Sequence, residues 1–269
     1  MFWGLVLLVS GYVVLCAGVF FYQRRLIYRP SRIVHATPRD SGIACEDVSL
    51  RTADGETLAA WHAPLVSARG TVIFFHGNAG NISHRIGELA AWRSLGFSVL
   101  LPDYRGFGAS SGSPSEAGLY EDAEAAWRWV TTVRGVAPDR VVIAGRSLGG
   151  AVAIESAFRH APGALVVEST FTRLPDVAAG VYPFLPVRFL MRERYASVEK
   201  IGVVRCPKVF LHGVEDALIP ISMGRALYAA AAEPKTFIET PGDHADGGML
   251  FDPRYVAEVD EFLRRVAGL

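Results

Sequence analysis

The run Val141-Val142-Ile143-Ala144-Gly145-Arg146-Ser147-Leu148-Gly149-Gly150-Ala151-Val152-Ala153-Ile154 decides the fold. Four apolar residues that read as a buried strand lead into Gly-x-Ser-x-Gly, and small and aliphatic residues suited to a helix follow. A sharp strand-to-helix turn there holds the serine in a strained backbone conformation with its hydroxyl exposed. Gly145 and Gly149 flank it because the turn brings neighbouring backbone too close for larger side chains. Five-residue patterns recur by chance. The strand before and the helix after make Ser147 a candidate nucleophile and not merely a helix N-cap serine.

A nucleophilic serine needs a base, and the base needs an orienting acid. Around such an elbow the chain order is Ser, then Asp or Glu, then His. Three histidines follow Ser147: His160, His212 and His244. His160 ends the helix that starts at the elbow, too near in sequence to fold back. His212 closes the apolar run Val209-Phe210-Leu211 and reads as a strand-end residue. His244 follows the strand-like Thr236–Thr240 in the loop Pro241-Gly242-Asp243-His244, where a base belongs. The acid is expected after the preceding strand. Asp216 is the choice there, with Glu215 weaker and Asp243 or Asp246 outside candidates. Asp243 adjoins the base and reads as a solvated turn aspartate.

Acyl transfer also requires preorganised donors for the oxyanion. The N–H of Leu148, next after the nucleophile, is the expected first donor. The second is expected after the strand Val72-Ile73-Phe74-Phe75, in His76-Gly77-Asn78-Ala79-Gly80-Asn81, with the N–H of Asn78 as donor. His76 precedes Ser147 and is expected to brace this loop. Asn81 and His84 are expected to cap and begin the next helix.

On these residues the chain resembles the alpha/beta-hydrolase superfamily. It is particularly similar to a membrane-associated serine hydrolase subgroup that includes protein-depalmitoylating enzymes. The matching stretches are Phe75–Asn81, Asp103-Tyr104-Arg105-Gly106-Phe107-Gly108, Gly145–Gly150 and Leu211-His212-Gly213, with the regions around Asp216 and His244. The resemblance runs from about Val48 to the C-terminus. It is specific for fold and triad and far less so for substrate, because one fold hosts many activities.

The remaining sequence fits that fold independently. Strand-like runs at Thr57–Trp61, Thr71–Phe75, Ser98–Leu101, Val141–Ala144, Ala164–Glu168, Lys208–Leu211 and Thr236–Glu239 alternate with helical patterns. Those patterns lie near Arg85–Ser94, Ser115–Thr132, Leu148–Arg159, Met223–Ala232 and Tyr255–Val266. Alternation of this kind predicts an α/β fold: a mostly parallel sheet with helices on both faces. Asp103 and Arg105 at a strand end are expected to brace a loop through an ion pair or backbone hydrogen bonds. Trp127 and Trp129 are expected to be packing and surface residues.

Residues 1–23 read as a transmembrane anchor, 24–47 as a juxtamembrane linker, and 48–269 as the hydrolase domain, with 169–207 inserted as a lid. Phe2 to Tyr22 carry no charge. At about 1.5 Å per residue they would cover ~31 Å, matching a hydrocarbon core. A cleaved signal peptide is disfavoured, since no basic residue precedes the apolar run and no clear small-x-small site follows it. Arg24, Arg25, Arg29 and Arg32 lie just beyond the span, so the positive-inside rule puts the domain on the cytoplasmic side. Cys16, Cys45 and Cys206 suggest no disulfide framework.

With 27 basic and 27 acidic residues the net charge is zero, which gives no electrostatic case for nucleic acid. No metal-ligand cluster, P-loop or dinucleotide fingerprint occurs in the sequence, so no cofactor and no metal are expected. The expected function is a membrane-anchored serine hydrolase of esters or thioesters, acting on a small-molecule or lipid-linked acyl substrate. A serine peptidase with the same triad and a catalytically silent membrane-anchored scaffold are the alternatives. Phe184, Leu185, Phe189 and Leu190 in the apolar lid are expected to line the acyl pocket. A chain beginning near Ser31 is expected to keep its activity, because every candidate site residue lies beyond residue 70.

Overall fold

The strand sequences are apolar on both faces, and the fold explains why. In the computed structural model, which describes residues 2–245 and 252–269, eight strands form one sheet covered on both sides. Its strands are β2 (Glu46–Arg51), β3 (Thr57–Ala63), β4 (Thr71–Phe75), β6 (Ser98–Pro102), β7 (Val141–Arg146), β8 (Ala164–Glu168), β9 (Lys208–Gly213) and β10 (Lys235–Thr240). Their spatial order is β10-β9-β8-β7-β4-β6-β3-β2. Only β3 opposes the rest, pairing antiparallel with both β2 and β6, while the remaining pairs are parallel. A second, two-stranded parallel ladder joins β1 (Arg29–Pro30) to β5 (Ala79–Gly80).

Period-two alternation divides each central strand between two cores. Ile73, Phe75, Ile143, Leu165 and Val167 pack on one face with α3 (Glu116–Arg128) and α4 (Leu148–Arg159). Val72, Phe74, Val142, Ala144 and Val166 pack on the other with α2 (Ile86–Ser94) and α9 (Pro253–Arg265). Removing such a side chain from water is worth about 1.5–3 kcal/mol. Sequence alternation missed β2 because it is an edge strand, with only Val48 and Leu50 turned inward among charged residues.

Three short helices follow β8: α5 (Leu174–Val181), α6 (Val187–Leu190) and α7 (Ser197–Lys200). They stand where the lid was expected. α8 (Ile221–Ala230) lies between β9 and β10.

α1 spans Phe2–Ile27, 26 residues with mean hydropathy 2.4 in its most apolar window, and none of that window is buried in the protein. It is long and apolar enough to cross a membrane. Its C-terminal end is fastened to the domain. Gln23 and Tyr28 are buried, and the Tyr28 hydroxyl contacts both Glu193 (2.8 Å) and the Tyr195 hydroxyl (2.7 Å). Arg24 pairs with the buried Glu193 at 2.8 Å. Segment 24–47, expected as a linker, therefore begins as a fixed strap.

Candidate active site

The parallel pairing of β4 with β7 sets Phe75 opposite Gly145, so the loops leaving those strands emerge side by side. One carries Asn78 and the other Ser147. This is the carboxyl edge of the sheet, where open α/β folds hold their ligands.

Ser147 sits at φ 55°, ψ −121°, between the last residue of β7 and the first of α4. Its N–H donates to the Glu168 carbonyl (2.9 Å) and its carbonyl accepts from Gly150 (3.0 Å). The flanking glycines answer close approaches. A Cβ on Gly145 would lie 2.1 Å from the Gly149 carbonyl oxygen, and one on Gly149 would lie 1.9 Å from that of Phe75.

The structure brings three of the expected residues together. His244 Nε2 lies 3.1 Å from Ser147 Oγ, and His244 Nδ1 lies 2.7 Å from Asp216 Oδ2. Asp216 follows β9, is buried, and accepts at Oδ1 from the N–H groups of Leu218 (3.1 Å) and Ile219 (2.7 Å). Its carboxylate is thereby aimed at the imidazole.

The other candidates do different work. Glu215 is exposed, outside this chain of contacts. Asp243 accepts from the N–H groups of Ala217 (3.1 Å) and His244 (2.5 Å). Hydrogen bonds from those two N–H groups, His244 first, hold its carboxyl below the usual range. Asp246 lies outside the described residues. His212 is buried beneath the acid loop and contacts the Ile219 carbonyl through Nε2 (2.7 Å); burial pushes its pKa down. His160 stacks on Trp127 with ring centroids 4.4 Å apart and contacts Glu124 at 2.8 Å.

Leu148 opens α4, so its N–H is one of those without an intrahelical acceptor. Asn78 and Leu148 line the same cleft as Ser147. The Asn78 side chain donates to the Ile27 carbonyl (2.7 Å), and the Asn78 carbonyl accepts from Arg29 (2.8 Å). The Asn78 loop is thus tied directly to the end of α1. His76 is buried, with Nδ1 2.8 Å from the Gly77 carbonyl and Nε2 3.2 Å from Asp103. Asp103 also accepts from the N–H of Ile82 (3.0 Å). Arg105 pairs instead with Asp122 (2.8 Å) and Asp54 (2.6 Å), so both charges brace loops without pairing with each other. Asn81 caps the short turn Ile82–His84, accepting from the Ser83 N–H (2.9 Å).

Two cavities flank Ser147. One, of about 330 Å³, has apolar walls that include Leu148, Phe171, Leu174, Val177, Met191 and Ile219. The other, of about 320 Å³, differs in carrying charged side chains, Arg85, Glu88 and Arg146, beside His76 and His244. Phe184, Leu185, Phe189 and Leu190 do not line the apolar cavity, contrary to expectation; within Val181–Met191 it is Val181, Tyr182 and Met191 that do. The reason is the turn at α6. It sends Leu185, Val187 and Met191 into a small cluster against Cys16, Val19 and Ile27 of α1, leaving Phe184 and Phe189 outside.

Leu26 and Ile27 also line the apolar cavity. The expectation of activity from a chain beginning near Ser31 counts only residues beyond 70 and leaves these two out. A chain cut at Ser31 would lose Tyr28, both β1 residues and part of the cavity wall.

Sequence reasoning also missed Arg146. Its guanidinium donates to the His244 main-chain carbonyl and lies 3.5 Å from Glu168. The signal was available, since Arg146 stands inside the pentapeptide beside the serine.

The chain can now be set against known proteins. The family described as Serine aminopeptidase, S33, matches residues 66–196, which include Ser147 but neither Asp216 nor His244. A Mycobacterium tuberculosis protein, Rv2307c, is 40% identical over 256 residues, covering 93% of this chain and 90% of its own. The Arabidopsis thaliana alpha/beta hydrolase domain-containing protein WAV2 is 34% identical over 288 residues, covering 97% of this chain and 92% of its own. Among solved structures, the Pyrococcus furiosus esterase Pf2001 superposes with a TM-score of 0.74 at 22% identity. It covers 89% of this chain and 100% of its own. That likeness speaks to fold; the full-length identities speak to kinship. The chain belongs to the alpha/beta-hydrolase superfamily.

Proposed function

We propose that this protein is a membrane-anchored serine hydrolase that cleaves esters or thioesters of lipophilic acyl groups. The observation that carries the reading is the continuous contact from Ser147 Oγ through His244 to Asp216, at 3.1 and 2.7 Å, between one cavity walled by apolar side chains and another that carries charged ones.

Asp216 accepts a hydrogen bond from the Nδ1–H of His244, which leaves Nε2 free to take the proton of Ser147 Oγ as it attacks the acyl carbon. The oxyanion that forms is met by the N–H groups of Leu148 and Asn78. His244 then returns its proton to the leaving group, and water releases the acyl chain by the same route. The apolar cavity suits the acyl chain. The cavity beside Arg85, Glu88 and Arg146 suits a leaving group that can pair with charged side chains.

α1 supports the anchor by its length and apolar character. A cleaved signal peptide fits poorly with a helix whose last residues, Gln23 to Ile27, are built into the domain and its cleft. The arginines just after the span support a cytoplasmic domain.

A serine peptidase is the second reading. It draws on the matched family's description and on Arg85 and Glu88, which could receive the charged end of a peptide. Full-length protein assayed on p-nitrophenyl esters of increasing chain length, acyl thioesters and aminoacyl anilides separates the readings. Preference for longer acyl esters is expected. Turnover confined to anilides would replace the esterase by the peptidase, and no turnover or fluorophosphonate labelling would leave a silent scaffold.

A further inference from the structure

The lid carries large apolar side chains that neither the core nor the cleft uses. Phe184 and Phe189 are 64% and 87% exposed. Val181 and Tyr182 are exposed beside them as well as touching the cleft. All four belong to a segment that lies along α1. The Tyr12 hydroxyl donates to the Phe184 carbonyl (2.9 Å), Cys16 and Val19 pack on the Leu185 cluster, and the Gln23 side chain accepts from the Arg192 N–H (2.7 Å). Positions 12, 16, 19 and 23 share one helical face, so the lid touches α1 along that face, half-burying Cys16 and Val19 and leaving Tyr12 exposed.

Length then decides where that face lies. Crossing the hydrocarbon core takes about 30 Å of helix. From Phe2, α1 reaches Tyr12 after about 15 Å and Cys16 after about 21 Å at its ordinary rise. The part of α1 free of the lid is too short to cross. If α1 spans the bilayer, the face that the lid touches is inside as well, and the lid goes with it.

We therefore propose that the lid segment from Val181 to Leu190 is embedded in the leaflet at the C-terminal end of α1. Its occupant is phospholipid acyl chain, and the apolar cleft opens to that leaflet. This rests on the anchored reading above. The cleft wall made by Leu26, Ile27, Val181, Tyr182 and Met191 then continues the lipid phase up to Ser147. An acyl chain held in the membrane reaches the nucleophile without passing through water.

The lid backbone supports the same placement. In hydrocarbon an unpaired N–H is costly. Pro183 and Pro186 have none, and six of the other eight N–H groups from Tyr182 to Met191 donate to nearby main-chain carbonyls, those of Phe184 and Arg188 being the exceptions. Arg188 is the one charge in the stretch. It pairs with Asp176 at 2.8 Å, and its long stem lets the guanidinium reach the headgroups. Arg192, 4.0 Å above the Phe20 ring, marks the headgroup level on α1. Tilt of α1, ordinary for membrane helices, brings the lid rings into the same leaflet.

The test uses full-length protein in phosphatidylcholine vesicles. Phe184→Trp and Phe189→Trp are each made in a Trp3→Phe background, which removes the tryptophan of α1. Val66→Trp is the aqueous reference, since Val66 is 93% exposed before β4, at the sheet edge opposite Ser147. Emission added at 184 and 189 is expected to be blue-shifted, quenched by brominated acyl chains and spared by iodide. Emission added at 66 is expected to behave oppositely.

Iodide quenching at 184 and 189 as strong as at 66, with the protein retained in carbonate-washed vesicles, would overturn the embedded lid while sparing the anchor. Loss of the protein from those vesicles would overturn both. A Phe184→Ser, Phe189→Ser double variant gives an independent measurement. It is expected to lose turnover of an octanoyl ester carried in vesicles and keep that of a soluble acetyl ester. Unchanged turnover of both counts against the proposal.

Discussion

The guanidinium of Arg146 donates to the main-chain carbonyl of His244. The residue before the elbow serine thus holds the loop that brings the imidazole to it, although the two are 98 positions apart. Glu168, at the end of β8, sits 3.5 Å from the same guanidinium.

Replacing Arg146 by Ala is expected to leave the fold intact and slow turnover by about 10²-fold, because small misplacements of catalytic groups cost that much. Steady-state kinetics on a short ester would read it as a fall in kcat with KM little changed. A wild-type rate would show that the loop holds His244 unaided.

Ser147→Ala is expected to abolish turnover and fluorophosphonate labelling while the protein still folds. Asp216→Asn should lower kcat by about 10⁴-fold through a wrong His244 tautomer. Full activity in Asp216→Asn would remove Asp216 as the acid.

Gly149→Ala should fail to fold stably. The new methyl would meet the Phe75 carbonyl at 1.9 Å, and neither strand nor helix can yield without moving the elbow. Overpacking of this kind costs about 1–3 kcal/mol or more. Gly87, whose added Cβ meets nothing within 4 Å, is the control: Gly87→Ala in α2 should be neutral or stabilising by thermal unfolding.

His212 is buried, and burial lowers its pKa, so the unfolded chain binds its proton more readily than the native one. Its contribution is fully present above the unfolded value, near 6.5, and is lost as pH falls through the lower native value. Asp122 slopes the other way in an overlapping range, since burial pushes it up to about 6. The informative comparison is therefore with His212→Gln, which keeps a donor for the Ile219 carbonyl and cannot titrate. Melting temperature measured between about pH 5 and pH 8 should lose less on acidification in the variant than in the wild type.

Cutting before Ser31 is expected to destabilise the domain and impair turnover, whereas cutting before Tyr22 should preserve both. The first cut removes Tyr28, the β1 ladder and the Ile27 carbonyl that receives Asn78. Equal activity of the two truncated proteins on a soluble acetyl ester would show that the strap is dispensable.

That Ser147, Asp216 and His244 meet was legible because strand-loop punctuation puts each at one edge of a parallel sheet. Their roles as nucleophile, acid and base are the proposal that chain order suggests. The lid face was not legible. Apolar content singled out Val181–Met191, but only the turn at α6 decides which rings face the cleft and which face outward. The role of residues 24–31 was hidden for another reason: a two-residue ladder such as Arg29-Pro30 with Ala79-Gly80 carries no periodicity to read.

The backbone of Ser147, at φ 55°, is a conformation glycine adopts freely and serine does not. Strain of that kind costs of order 1–3 kcal/mol. Selection acting on folding alone would drift this position toward glycine and gain stability. A hydroxyl held in this conformation therefore comes with a backbone penalty that glycine at the same position would not carry.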